Sequence, residues 1–281
     1  MAGEGSASSQ VNALYAKLAE NGRRDGNTGL SPMTIHHVHS CLHKACKDAV
    51  RWGHISRNLL DAADPPRKKG EGTKEMRTWT KEQLGAFLKS VADERLSPLW
   101  HTIAMTGMRR GEAIGLRWSD VDLEAGRLAV RRALIPSGRE VIVSEPKTAK
   151  GRRVIAIDPG AVEILKTQAA RQLDEQREWD DAWVDSGLVF TAENGAALDP
   201  ESVSRYWRQA VKKAMLPRIR MHDLRHTHAT LALQAGVHPK VVSERLGRAT
   251  VSITLDTYSH AIPAMQEEAA VLIAHLVLAA R

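Results

Sequence analysis

The chain has 281 residues, 43% hydrophobic and 26% charged, the proportions of an ordinary globular protein with room for one large domain or two small ones. Its net charge of +7 and isoelectric point near 9.5 favour a polyanionic partner. A signal peptide is excluded by the polar start MAGEGSASSQ, and a membrane span by the shortness of the apolar stretch around 269–280, which His275 interrupts. The two cysteines, Cys41 and Cys46, fall on different faces of an expected helix and form no CxxC pattern, which argues against a disulfide or a structural zinc. A soluble, cytoplasmic protein is expected.

Residues 1–10 are small and polar and read as disordered. Helical periodicity starts at Val11, continues through Leu14 and Leu18, and stops at Gly22. Ser31-Pro32 is an N-cap followed by proline in the first helical position, opening a helix over 32–52. Ile35, Val38, Leu42, Ala45, Ala49 and Trp52 form its apolar stripe, and a short helical element follows at 58–62. The segment Pro65-Pro66-Arg67-Lys68-Lys69-Gly70-Glu71-Gly72 cannot build a core and marks a domain boundary. The expected division is a partial helical domain over 1–64, a basic linker over 65–76, and a larger domain over 77–281.

Thr80-Lys81-Glu82-Gln83 is a capping box ahead of Leu84, Phe87, Leu88 and Val91 at helical spacing. Ser97-Pro98 opens the next helix, which breaks at Thr106-Gly107, and a third helix holds Arg109, Glu112 and Leu116. Residues 128–133, 140–144 and 152–157 alternate apolar and polar, predicting one small sheet of three antiparallel strands with Lys147 in the turn between the last two. Asp158-Pro159 and Asp199-Pro200 open helices over 159–178 and 200–214. Further helices are expected near 223–235, 239–246 and 264–279. The fold class is therefore mainly α with a small antiparallel sheet (α+β). Within 204–226, seven Lys or Arg stand against one acid, and Arg205, Arg208 and Lys212 share one helix face.

Five residues stand in distinctive contexts. Arg109 lies in TGMRRGEAIGLRWSDVD, Lys147 in PKTAKGRR, His222 and Arg225 in HDLRH, and Tyr258 in TLDTYSH. Two guanidinium groups suit the charge that builds on a phosphodiester under attack, because arginine stays charged and donates two bonds in a fork. A phenol, with a pKa of about 10, is a nucleophile that can leave again. These residues, in this order, resemble the catalytic set of the tyrosine recombinases, the phage integrase family. The resemblance covers roughly 76–263 with strong motifs, and 11–67 is similar to the later part of that family's core-binding (SAM-like) domain.

The resemblance implies an integrase-like catalytic domain and a site-specific recombinase of a mobile element. Tyr258 would attack the scissile phosphate of double-stranded DNA, leaving a 3′-phosphotyrosyl bond and a free 5′ hydroxyl. Arg109 and Arg225 would stabilise the phosphate, and His222 would assist proton transfer at the tyrosine. Lys147 would protonate the departing oxygen, with Lys150 its nearest decoy. Glu112 would hold a catalytic cation or His222 in place, while Arg110 would be surface charge. Arg67, Lys68, Lys69, Arg205, Arg208 and Lys212 are candidate phosphate contacts. No metal and no ATP are required. Exchange between two duplexes implies a homo-tetramer on DNA, with an excisionase or a host DNA-bending protein as further candidate partners and a nucleoid-associated location. The apolar tail with Ile273, Leu276 and Leu278 would dock on a neighbouring protomer or pack on its own domain.

Two features depart from the family. Leu246-Gly247-Arg248 stands where relatives have LGH ten residues before the tyrosine, so Arg248 replaces a histidine that donates to the phosphate. Arginine donates too, yet it is longer and shuttles no proton at neutral pH; reduced activity is expected. The second departure is the short stretch before the linker, read as an N-terminally shortened integrase. These features keep open a catalytically impaired or truncated integrase acting as a DNA-binding protein. A type IB topoisomerase-like relaxing activity is a more distant alternative.

Overall fold

The structure, a computed structural model, describes residues 4–23, 28–66, 77–137, 140–144, 151–248, 250–258 and 264–278. The chain divides into two compact units, Met1–Glu75 and Met76–Arg281. Of the expected linker, only Pro65 and Pro66 fall among the described residues, so Arg67, Lys68 and Lys69 lie outside them.

The first unit is a helix pair, α1 (Glu4–Asn21) and α2 (Pro32–Arg51). Helix α1 starts well before Val11, correcting the expectation of disorder up to residue 10; the Ala and Ser there tolerate a helix once later turns propagate it. Ser31 caps α2 by accepting from the Thr34 amide, with Pro32 at the first helical position. Tyr15, Ile35 and Ala63 form the buried centre, and the Tyr15 hydroxyl meets His39 Nδ1 at 2.8 Å. The α2 stripe is only partly used: Ile35 is buried, whereas Leu42 and Trp52 are exposed. Residues 58–62 form turns rather than a helix, and Cys41 and Cys46 are free thiols.

In the second unit, Thr80 and Gln83 close the capping box that opens α3 (Lys81–Ser90). Helix α4 (Ser97–Thr106) ends on Gly107, whose φ of +65° is the left-handed conformation that glycine adopts without strain. The short α5 (Arg110–Ile114) follows at once. The expected single sheet resolves into two. Strands β1 (Val121–Asp122), β2 (Arg127–Val130) and β5 (Arg153–Ala156) pair antiparallel in the order β1-β2-β5, and β3 (Ala133–Ser137) pairs with β4 (Glu140–Ser144) as a separate hairpin. Arg131 and Arg132 break the run after Val130, and both pair with Asp120, so β2 cannot continue into β3.

Asp158 and Asp199 cap α6 (Pro159–Trp179) and α7 (Pro200–Lys213) as their sequences predict. Helices α8 (Met221–Gln234), α9 (Pro239–Leu246), α10 (Val251–Tyr258) and α11 (Ala264–Leu278) complete the described chain. Trp207 joins Trp79, Phe87 and Trp100 in an aromatic cluster with ring centroids 4.9–5.6 Å apart. Trp79 and Trp207 donate their indole N–H groups to the carbonyls of Pro217 and Ile219, which fixes the turn that feeds α8. Tyr206 is exposed, since Val203, Trp207 and Ala210 take the inward face of α7. Among the described residues no helix is long and apolar enough to cross a membrane.

Candidate active site

Arg109 is the N-cap of α5, placed there by the left-handed turn at Gly107. Its backbone N–H donates to Glu112 Oε2 at 2.8 Å and its guanidinium to Glu112 Oε1 at 2.7 Å. Glu112 is buried, and Arg153 of β5 binds the same carboxylate through Nη2 at 2.8 Å. Burial alone would raise the carboxyl pKa, but the hydrogen bonds and charge of Arg153, joined by Arg109, outweigh it and hold the group down at about 2. Glu112 therefore carries a full charge between two arginines, and it is a cation rather than His222 that it grips. Gly111 lets α5 approach β3: a Cβ at that position would sit 2.6 Å from the Leu134 carbonyl oxygen.

Arg225 is buried in α8, at 3% exposure. Its guanidinium donates to the Gly107 carbonyl at 2.7 Å and also to the Leu246 carbonyl. The first bond ties it to the turn that carries Arg109. The second ties it to the turn after α9 that carries Arg248. Burial, with Arg109 beside it, pushes its pKa down to about 9, which leaves the group charged at neutral pH. Arg153 Nε donates to the Arg245 carbonyl at 2.6 Å, and Arg245 in turn donates to the carbonyls of Ala156 and Met105. Sequence reasoning missed both arginines, because nothing in KGRRVI or SERLG marks a cation that turns inward.

Tyr258 ends α10 and is fully buried. Its hydroxyl lies 2.8 Å from His226 Nδ1 and accepts from Arg248 Nη2 at 3.2 Å. The Arg248 guanidinium also lies over the phenol ring, 4.8 Å from its centroid, and donates to Thr257 Oγ1 at 2.7 Å and the Ile253 carbonyl at 2.6 Å. Burial raises the phenol pKa, while the charges of Arg248 and Arg225 work against the rise. His226, not His222, is thus the imidazole on the phenol. His222 packs edge-on against it with ring centroids 5.1 Å apart and is itself exposed. The i, i+4 spacing of the two histidines, which puts them on one helix face, was the signal available in the sequence. Among the described residues no cluster of three His, Cys, Asp or Glu could hold a metal ion.

Beside Arg109 opens a cleft of about 520 Å³ lined by Arg110, Arg208, Arg218, Arg220 and His222. Arg220, the N-cap of α8, is held by Asp223 three residues on, and Arg110 bonds Ser204. Arg110 therefore faces the same cleft as Arg109 rather than standing apart as surface charge. Arg205, Arg208 and Lys212 all lie exposed on α7, and of these Arg208 reaches the cleft. Lys147 lies outside the described residues, as does its decoy Lys150.

Comparison with known proteins agrees with this architecture. The profile of the phage integrase family matches residues 77–265. A XerC-like tyrosine recombinase of Caldanaerobacter subterraneus subsp. tengcongensis is 29% identical over 92% of this chain and 68% of its own length. The ICEBs1 integrase of Bacillus subtilis is 27% identical over 86% of this chain and 66% of its own. The chain thus spans about two thirds of the length of these curated relatives. Among solved structures, the Tn1549 transposon integrase in complex with transposon right end DNA superposes with a TM-score of 0.72 at 21% identity, covering 94% of this chain and 85% of that one. The family profile covers most of the chain, and the chain belongs to the phage integrase family, the tyrosine recombinases.

Proposed function

We propose that this chain cleaves and rejoins double-stranded DNA at specific sites through a 3′-phosphotyrosyl bond to Tyr258, in the integration or excision of a mobile element. One observation carries the assignment of the site: Arg225 is bonded both to the turn bearing Arg109 and to the turn bearing Arg248, whose guanidinium touches the Tyr258 hydroxyl. Phenol and fixed cations therefore converge on one point. Arg109 and Arg225 would bind the non-bridging oxygens of the scissile phosphate, where each oriented donor contributes about 10²–10³ in rate. Glu112 would orient Arg109, and Arg248 would bind the phosphate or the phenol. His222 would move protons at the mouth of the site. Lys147 would protonate the leaving 5′ oxygen.

The cleft of Arg110, Arg208, Arg218 and Arg220 would carry neighbouring phosphates, and Arg205 and Lys212 would extend that track along α7. The duplex as substrate is also supported by the DNA in the Tn1549 integrase complex. Strand exchange would take four protomers. The exposed apolar side chains of α11, among them Ile273 and Leu276, suit contact with a neighbour better than packing on their own unit.

The test is covalent trapping. Nicked suicide duplexes tiled across the DNA flanking the gene are incubated with the protein, and an SDS-resistant adduct is scored beside Tyr258→Phe. An adduct lost in the variant is the expected result. DNA binding with no adduct from the wild type, but an adduct from Arg248→His, would favour the impaired, DNA-binding reading. Relaxed supercoils without recombinant product would point to a topoisomerase-like activity.

A further inference from the structure

We infer that His226 is the group that takes the proton from Tyr258, and that His222 stands next in line toward the solvent. The inference rests on the reading of Tyr258 as nucleophile and adds a catalytic residue to it. The sequence placed His222 in this role, but the contact with the phenol belongs to the histidine one turn later.

The geometry fixes which way the proton points. The Tyr258 hydroxyl is fully buried, so water does not serve it. Arg248 has only donors, and its Nη2 at 3.2 Å uses a lone pair of the phenol oxygen. Among the described residues, His226 Nδ1 at 2.8 Å is then the one acceptor within reach of the phenol's own hydrogen. A buried hydroxyl hydrogen left without an acceptor costs about 1–3 kcal/mol, which selects the imidazole tautomer with Nδ1 bare and the proton on Nε2.

The groups facing His226 keep Nδ1 free of a proton. His222, Asp223 and Arg225 come from α8, Arg248 from the turn after α9, and Tyr258 from α10. Burial and His222 are the chief influences lowering its pKa, to about 4, against the opposing charge of Asp223. In the step, the phenol oxygen forms a bond to phosphorus, the bond from phosphorus to the 5′ oxygen breaks, and the phenol proton passes to His226 Nδ1. The 5′ oxygen leaves with a proton from Lys147. Religation runs the same transfers backwards. His222, edge-on at 5.1 Å and exposed beside the arginine cleft, provides the exit for a proton that does not return.

The test compares wild type, H226Q, H222Q and Y258F in the adduct assay, with DNA binding measured alongside. Glutamine keeps a hydrogen-bonding side chain but accepts no proton. H226Q is expected to bind DNA normally and to form adduct about 100-fold more slowly or worse, with H222Q losing about tenfold or less. The pH profile separates chemistry from packing. Wild type should be flat between about pH 6 and pH 8, whereas H226Q should gain about tenfold per pH unit as hydroxide replaces the lost base. An undiminished H226Q rate, or a lowered rate with the wild-type profile, would overturn the inference. An adduct that survives in Y258F would instead overturn the reading of the nucleophile. Histidine nitrogen NMR on the free protein gives an answer without DNA: a bare Nδ1 on His226 is expected, and an Nδ1–H tautomer would sink the inference.

Discussion

The guanidinium groups and the phenol of the site are anchored by different kinds of partner. Arg109 and Arg153 share one buried carboxylate, and Arg225 is held by two backbone carbonyls from different turns. Those partners belong to the packed core and have no freedom of their own. Among the described residues Tyr258 has two side-chain partners, His226 and Arg248, and it sits at the last residue of an eight-residue helix. The cationic half is preorganised, as electrostatic stabilisation of a phosphate requires. The proposed nucleophile is held by side chains instead: the Arg248 contact is the one a DNA phosphate would replace, while His226 would stay on the phenol as its proton acceptor.

Glu112→Gln should break this contrast most severely. It removes the charge shared by Arg109 and Arg153 while keeping the shape, and stranding a buried cation costs about 3–5 kcal/mol. A fall of that size in denaturant stability, with loss of adduct, is expected. A loss under about 1 kcal/mol would mean that the carboxylate does not organise the cations. Titration tests the same anchor. The Glu112 pKa drops on folding from 4.5 to about 2, so its contribution of about 3 kcal/mol is complete above pH 4.5 and disappears as pH falls toward 2. His226 and His228, lowered on folding from 6.5 to about 4, contribute above pH 6.5 and lose that contribution as pH falls through 4. Acid unfolding followed by circular dichroism should therefore begin between pH 6.5 and 4, and Glu112→Gln should flatten only the lower part. A wild-type stability that stays constant from pH 6.5 to pH 4 would contradict the half-buried neutral histidines.

Gly107→Ala strikes where the two halves meet. A Cβ there would lie 2.8 Å from both His228 Cδ2 and Leu246 Cδ2, on a backbone at φ +65°. The left-handed conformation and the clash together should cost about 2 kcal/mol or more and displace the carbonyl that Arg225 binds. Thermal unfolding of the variant within a degree of wild type would show that the turn adapts.

Much of this was legible in the sequence, for identifiable reasons. Helices α2, α3, α6 and α7 announce themselves through Ser31-Pro32, Thr80 with Gln83, Asp158-Pro159 and Asp199-Pro200, because a cap is local chemistry. Helix α10 was not legible. Val251, Ile253, Thr254 and Thr257 are β-branched and disfavour a helix, which persists because Thr254 and Tyr258 are buried. The split of the strands into two sheets depends on Asp120 drawing in Arg131 and Arg132, an event no periodicity encodes. Within the site, Arg109, Arg225 and Tyr258 came from motif context. Arg153 and His226 came from packing, since each acts through a partner distant in sequence.

Arg248→His should have the smallest effect on stability and sharpens the comparison from the nucleophile's side. Arg248 spends its donors on the Ile253 carbonyl, Thr257 and the Tyr258 hydroxyl while its charge lies over the phenol ring. A histidine cannot span that distance, so the last turn of α10 loses a clasp whose cation–π part contributes about 1 kcal/mol. It keeps a hydrogen-bond donor near the phosphate and brings a group that can exchange protons at neutral pH. If the clasp restrains Tyr258, adduct formation should rise several-fold while stability falls by about 1 kcal/mol or less. An equal fall in both would mean that Arg248 is needed to present the phenol, and that this chain has rebuilt its nucleophilic half around arginine.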